Sequence, residues 1–507
     1  MGMQVAAEDW IAHHARFSPH RDAIHDLASG RRSTYRTLDE RVSRAACFFR
    51  NVLGVRAGER IAVLCHNDSD VFEIQFACQR IGAIFLPVNW RLALPELEFI
   101  GNDATPRVLA HGTEFAQVAA DVARRCGIEH LVSLNNGAAS DYETGLARAE
   151  DAFETAALDI TDTWMILYTS GTTGRPKGAR ITYGMALFNA VHATSSVALG
   201  VDSTNLVFLP TFHAAGLHLY ANPIFQLGAT NVVLRTFDPG RFLALLASKG
   251  MRITHLLGVP TNFLMMAQQP GFAEADLSHI VSIGVGGAAA PLALLETYAA
   301  KGVALQQLWG MTETGPLGLV LPGDEALRKV GSSGLPVQYA RLKVCDENGV
   351  EVEQGTTGEL LIKGPAVTPG YWNRTQTNTE AFTDGGWFRT GDAARQDEDG
   401  FYYIVDRWKD MFISGGENVY PVEVENVIYQ LDGVLETAVV AIAHETWGEV
   451  GRAFVVAKPG GVLDEHGIVA HCRKNLAGYK VPREVRFVDE LPHNATGKIL
   501  KHRLPRD

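Results

Sequence analysis

The sequence predicts an α/β protein, with a large N-terminal domain of mixed, largely parallel sheets flanked by helices and a small C-terminal α+β domain. Three observations carry this. Short apolar runs alternate with helix-like segments over most of the length, the pattern of βα units whose helices cover a parallel sheet. The 507 residues exceed what a single core usually serves, so two or more domains are expected. After a Gly- and turn-rich stretch, the charged segment 404–410 (IVDRWKD) opens a compact tail of different pattern, sized like a small domain.

Taken in order, residues 60–65 (RIAVLC) read as a buried strand, and Ser69 or Asp70 would cap a helix running to Gly82. Residues 83–88 (AIFLPV) read as the next strand, with a second helix from near Leu94. The alternation returns at 205–209, 230–234 and 280–284. In the tail, Pro421 suits the first turn of a helix. Val424, Val427, Ile428 and Leu431 share one apolar face of that helix. Strands are expected at 437–442 and 453–457, and the domain boundary near 405.

Composition excludes several classes. Apolar residues make up 46% and charged residues 20%, as in ordinary globular enzymes. A net charge of −12 argues against a general polyanion binder, since nucleic acid needs a dominant basic face. Nucleotide phosphates need less: backbone N–H groups and one or two cations suffice. The six cysteines (Cys47, Cys65, Cys78, Cys126, Cys345, Cys472) form no CxxC pair, which suits free thiols in a reducing compartment. The first residues lack the layout of a signal peptide. No apolar run reaches eighteen residues, so no transmembrane helix is expected, and a cytoplasmic location is.

The sharpest feature is 168–178, YTSGTTGRPKG, directly after the apolar run 165–167. Gly171 and Gly174 let the backbone bend so that several N–H groups face one anion. Thr169, Ser170, Thr172 and Thr173 add hydroxyls, and Lys177 adds a point charge suited to phosphate oxygens. The spacing is not that of a Walker A loop. This stretch resembles the signature of the adenylate-forming superfamily of acyl-CoA synthetases, peptide-synthetase adenylation domains and luciferases.

The superfamily's later motifs follow in order over about residues 10–504. Residues 307–315 (QLWGMTETG) resemble its aromatic-Gly-x-Thr-Glu element. The resemblance implies that Trp309, Gly310 and Met311 face the nucleotide, that Thr312 bonds a phosphate, and that Glu313 holds Mg²⁺, a hard cation. Gly286, Gly287 and Ala288 match a turn that lets backbone approach the adenine and the reacting carboxylate. In 389–393 (RTGDA), Asp392 matches the residue that grips the ribose hydroxyls. Residues 406–410 resemble the interdomain linker, which implies nucleotide contact by Arg407 and a pivot at Lys409. In 491–500 (LPHNATGKIL), Lys498 matches the catalytic lysine.

The reaction so implied uses ATP, Mg²⁺ and coenzyme A. The acid attacks the α-phosphate to give an acyl-adenylate and pyrophosphate, and the CoA thiol then displaces AMP. The implied domains are 1–405, binding ATP and acid, a hinge at 406–409, and a mobile 410–507. In the family that last domain swings Lys498 away and brings a loop with Gly415 and Gly416 to the acyl group.

For the acid, the discriminating stretch is 210–219 (PTFHAAGLHL). Amino-acid-activating relatives carry an Asp at its start, whereas this chain has Phe212 and His213, so an amino acid is not expected. Acetate-specific relatives place a Trp where Gly310 stands, which implies a larger acid. His213, Ala215, Gly216, Leu219, Gly287, Leu308 and Gly310 are the expected acyl pocket. Leu308 replaces a glycine common in fatty and aryl members, which shifts the expectation towards compact or cyclic acids. Fatty, aryl and bulky cyclic acids stay open, as does a monomer or homodimer. So do two alternatives: loading of a carrier-protein phosphopantetheine, and a non-catalytic nucleotide-binding scaffold.

Overall fold

A computed structural model describes residues 5–134, 140–149, 153–169, 176–248, 250–407, 410–414, 417–444, 447–461, 463–476, 478–493 and 499–506. By contacts the chain forms two compact units. The first is Met1–Arg341 with Ile362–Gly386, and the second is Leu342–Leu361 with Trp387–Asp507. This is a division by packing, whereas the boundary expected near 405 is one about a pivot.

Two sheets organise the first unit. One has six strands, in the order His130–Leu134, Val108–Gly112, Arg60–Leu64, Ile84–Pro87, Thr163–Thr169 and Lys177–Thr182. All its pairs are parallel except the last, which is antiparallel. The other has nine strands. Its parallel centre runs Leu305–Trp309, Ser282–Val285, His255–Gly258, Thr204–Val207, Thr230–Val233 and Asp22–Asp26. Antiparallel strands close its two ends. The mixed, largely parallel architecture expected from the alternating pattern is present. No described helix is long and apolar enough to cross a membrane.

The strands expected in the first unit occur within a residue or two of their apolar runs, and those expected at 437–442 and 453–457 lie inside the longer strands Val434–His444 and Gly448–Ala457. The helix expected after the first of them spans Ser69–Ile81, and Gly82 ends it in the left-handed conformation at φ 72°. Its cap is Asp68, not Ser69 or Asp70: Asp68 Oδ1 accepts the Asp70 N–H at 3.0 Å, because the helix starts one residue earlier. Every residue of this helix is buried. Its two acids, Asp70 and Glu73, meet Arg31 (Nη1 to Oδ1, 2.5 Å) and Arg41 (Nε to Oε1, 2.6 Å). Buried carboxylates persist only when paired in this way.

The second unit holds a four-stranded sheet, Arg341–Cys345, Gly358–Lys363, Phe388–Gln396 and Tyr402–Arg407, all within this unit except Arg341, Ile362 and Lys363. It also holds a five-stranded sheet built on the long hairpin Val434–His444 and Gly448–Ala457. The helix Pro421–Ile428 buries Val424, Val427 and Ile428 against that hairpin, with Leu431 packed at the edge of the same core.

Candidate active site

Antiparallel pairing places Thr169 opposite Lys177, on the two strands that flank the Gly/Ser/Thr stretch in sequence. Ser170, Gly171, Thr172, Thr173 and Gly174 themselves lie outside the described residues. Beside this pair stands Glu313, buried in the short turn Thr312–Thr314 with Thr312 beside it. Its Oε1 accepts the Tyr371 hydroxyl at 2.8 Å, and the Thr169 hydroxyl lies 3.5 Å away. The Lys177 ammonium sits 5.4 Å from the centre of the Tyr371 ring. Three stretches far apart in sequence thus meet at one charged corner.

A second corner is built by Gln307. Its carboxamide donates to Val285 O at 3.2 Å and Ala288 O at 3.0 Å, and accepts the Ala290 N–H at 2.9 Å. This pins the turn that follows the strand Ser282–Val285. Within it Gly286 donates to Gly258 O at 3.1 Å, and Gly287 takes a φ of 78° that a side chain would strain. Trp309 packs over Gly318, where a Cβ would lie 2.6 Å from the ring. Met311 N–H donates to Thr314 Oγ1 at 3.0 Å.

In the second unit, buried Asp392 donates its N–H to Thr390 Oγ1 at 3.1 Å and pairs across strands with Arg407. Lys409, Gly415, Gly416 and Lys498 lie outside the described residues. Of the residues next to Lys498 in sequence, His493 bridges to Ile499 and Leu500 N–H donates to Pro492 O at 2.7 Å.

A family model described as AMP-binding enzyme matches residues 11–372, and one described as AMP-binding enzyme C-terminal domain matches 423–498. The chain belongs to the AMP-binding enzyme family. It is an AMP-forming acid–thiol ligase that takes ATP and CoA. It is 39% identical to a feruloyl-CoA synthase of an Amycolatopsis species, over 98% of both chains. To the long-chain-fatty-acid–CoA ligase FadD13 of Mycobacterium tuberculosis it is 36% identical, over 96% of this chain and 95% of that one. Among solved structures it resembles ATP-bound MatB from Rhodopseudomonas palustris, with a TM-score of 0.90, 31% identity and coverage of 99% and 98%.

The stretch expected to line the acyl pocket covers residues 213–220. Ala215–Leu219 form a wide, π-type turn, a form that recurs at functional sites. Gly216 is required there, since a Cβ would lie 2.3 Å from Pro210 O. His213 Nδ1 accepts the Ala215 N–H at 3.2 Å, which leaves the proton on Nε2. Burial pushes its pKa down to about 4, so the ring is neutral at ordinary pH. Leu219 and Leu308 join Tyr220, Leu257 and Leu317 in one apolar cluster, with Ala215 packed against it.

Gly310 differs from expectation. A Cβ on it would lie 1.8 Å from Pro316 O, so the space beside it is filled by backbone rather than left open for the acid. The glycine answers a close chain approach. Sequence reasoning missed Tyr371, whose only local signal is a Gly-Tyr-Trp turn, and noted Gln307 merely as the start of a motif.

Proposed function

We propose that this ligase activates a compact aromatic acid carrying a hydrogen-bonding group remote from its carboxylate, such as a hydroxycinnamic or arylacetic acid. The relatives' names run from aryl to long-chain acids and do not separate these classes. The side chains around Gly284 support the aromatic reading. A Cβ placed on Gly284 would meet Leu308 Cδ1 at 2.7 Å, Tyr220 Oη at 2.7 Å and Leu257 Cδ1 at 3.0 Å. Three side chains therefore converge over bare backbone, which supports a compact acid over a long alkyl chain beside that strand. This convergence carries the reading.

Two buried polar groups give the far end of the acid something to bond. The Tyr220 hydroxyl, beside the Ser282 side chain, and both His192 ring nitrogens have no well-formed hydrogen bond among the described residues. The His192 ring faces the backbones of Leu317 and Gln338, and burial lowers its pKa to about 4. Weakly bonded buried polar atoms are costly, and a ring hydroxyl or N–H would satisfy them better.

The chemistry follows from the acid's weakness as an electrophile. Transfer of AMP gives a mixed anhydride with a good leaving group, so catalysis is mainly alignment and placed charge. In this reading Lys177 and residues 169–174 hold the phosphates, with Thr312 bonding one of them. Trp309, Gly310 and Met311 flank the nucleotide, and Asp392 and Arg407 hold its sugar side. Gly286, Gly287 and Ala288 let nucleotide and carboxylate approach backbone, while His213 orients the acyl group. Lys498 serves adenylate formation, Lys409 is the pivot, and Gly415 and Gly416 leave a passage for pantetheine. Mg²⁺ fits Glu313: the corner offers a carboxylate and a threonine hydroxyl, hard oxygen donors only. Mg²⁺ takes few protein ligands and keeps waters and substrate phosphates, so one carboxylate can serve it. When bound it offsets negative charge on the phosphoryl oxygens.

The test is pyrophosphate release over a panel of acids, with and without CoA. A hydroxycinnamate should exceed palmitate by at least about tenfold in kcat/KM. Preference for palmitate would overturn the substrate class. Normal adenylate formation with no product from free CoA would favour a carrier-protein acceptor.

A further inference from the structure

Tyr371 belongs to none of the motifs that assemble the site, yet it touches both charges of the phosphate corner. Its hydroxyl donates to Glu313 Oε1 at 2.8 Å, and its ring lies beneath the Lys177 ammonium at 5.4 Å. The residue is held firmly and is nearly buried. Its N–H donates to Asn378 Oδ1 at 2.6 Å, and its backbone bridges to Ala179, two residues after Lys177. On either side of it, Trp372 N–H donates to Gly178 O at 2.7 Å and Arg180 N–H to Gly370 O at 3.1 Å. Thr368 N–H also donates to the Glu313 carbonyl at 2.8 Å. One short segment thus fixes Glu313 at backbone and side chain while bracing the strand that carries Lys177.

The chemistry of these contacts is selective. A neutral hydroxyl on one carboxylate oxygen sets the plane of the carboxylate without cancelling its charge. An aromatic face steadies an ammonium without neutralising it. Had Lys177 paired with Glu313 directly, each would lose the charge it offers to a metal or a phosphate.

We propose that Tyr371 is a positioning residue that keeps Glu313 aimed at a divalent cation and Lys177 aimed at phosphate, so that a metal–triphosphate meets two preformed, separate charges. This rests on reading Glu313 as the metal-holding group. The experiment is calorimetric binding of ATP, with Mg²⁺ and with a chelator, to the wild type, Tyr371→Phe, Tyr371→Leu and Glu313→Gln. Mn²⁺ affinity in the presence of ATP is read by electron spin resonance, and circular dichroism checks the fold. Tyr371→Phe should weaken metal–ATP and Mn²⁺ binding about tenfold, as loss of a group orienting a metal ligand does, while metal-free ATP binds as in the wild type. Tyr371→Leu should also weaken metal-free ATP, since the ring under Lys177 is gone. A wild-type ratio of metal-bound to metal-free affinity in Tyr371→Phe overturns the proposal. If Glu313→Gln also keeps that ratio, the metal assignment itself falls; if only Glu313→Gln loses it, the role of Tyr371 alone falls. Should Tyr371→Phe fail to fold, Tyr371→Met reads the same ratio.

Discussion

Asp392 and Arg407 are cross-strand partners, set opposite each other where the strands Phe388–Gln396 and Tyr402–Arg407 pair. Residues from two separate sequence motifs are thereby fixed on adjacent strands. The Thr390 hydroxyl accepts the Asp392 N–H and steadies that end of the strand. Replacing Asp392 by Ala is expected to raise the KM for ATP about 10- to 100-fold, the loss of hydrogen bonds to a charged acceptor. Initial rates over a range of ATP concentrations check this.

Lys498→Ala separates the two half-reactions. Pyrophosphate release should fall about 100- to 1,000-fold, as when one donor to developing charge is removed. Thioester formation from supplied acyl-adenylate should persist. Equal loss in both assays would refute the assignment.

Leu308→Ala tests the closed pocket. The ratio of kcat/KM for laurate over that for a hydroxycinnamate should rise about tenfold. Because Leu308 is buried in the apolar cluster, the variant should also lose about 2–5 kcal/mol of stability in a denaturant titration. An unchanged ratio in a folded variant would remove the leucine from the specificity argument.

Stability should fall as pH drops below neutrality. Burial lowers His192 and His255 to about 4 and His218 to about 3, from an ordinary 6.5. The unfolded chain takes up these protons first, so the stabilisation is full above pH 6.5 and is lost as pH falls towards 4. Each histidine contributes a slope of roughly 1.4 kcal/mol per pH unit within that window. Urea midpoints measured between pH 7 and 4.5 read it. Carboxylates add to acid loss at lower pH, so His218→Asn, which should flatten the upper part of the curve, identifies the histidine share.

Much of this was legible in the chain. Buried strands announce themselves as short apolar runs, so Arg60–Leu64 and Ile84–Pro87 fall where the pattern put them. The apolar run before the Gly-rich stretch likewise falls in a strand, Thr163–Thr169. What escaped depends on topology. Tyr371 meets Glu313 across 58 positions of sequence, and no local pattern encodes that approach. The same holds for Gly310, whose neighbour is a carbonyl six residues on rather than an acyl chain. The wide turn Ala215–Leu219 has no periodicity of its own to reveal it.

The wholly buried helix Ser69–Ile81 gives the enzyme an internal reporter. Its amides cannot meet solvent by fraying of one exposed face, because no face is exposed. Deuterium uptake by its middle residues, Phe72 to Gln79, therefore waits for the N-terminal unit to open as a whole. That uptake measures the unit's global unfolding free energy directly, without denaturant.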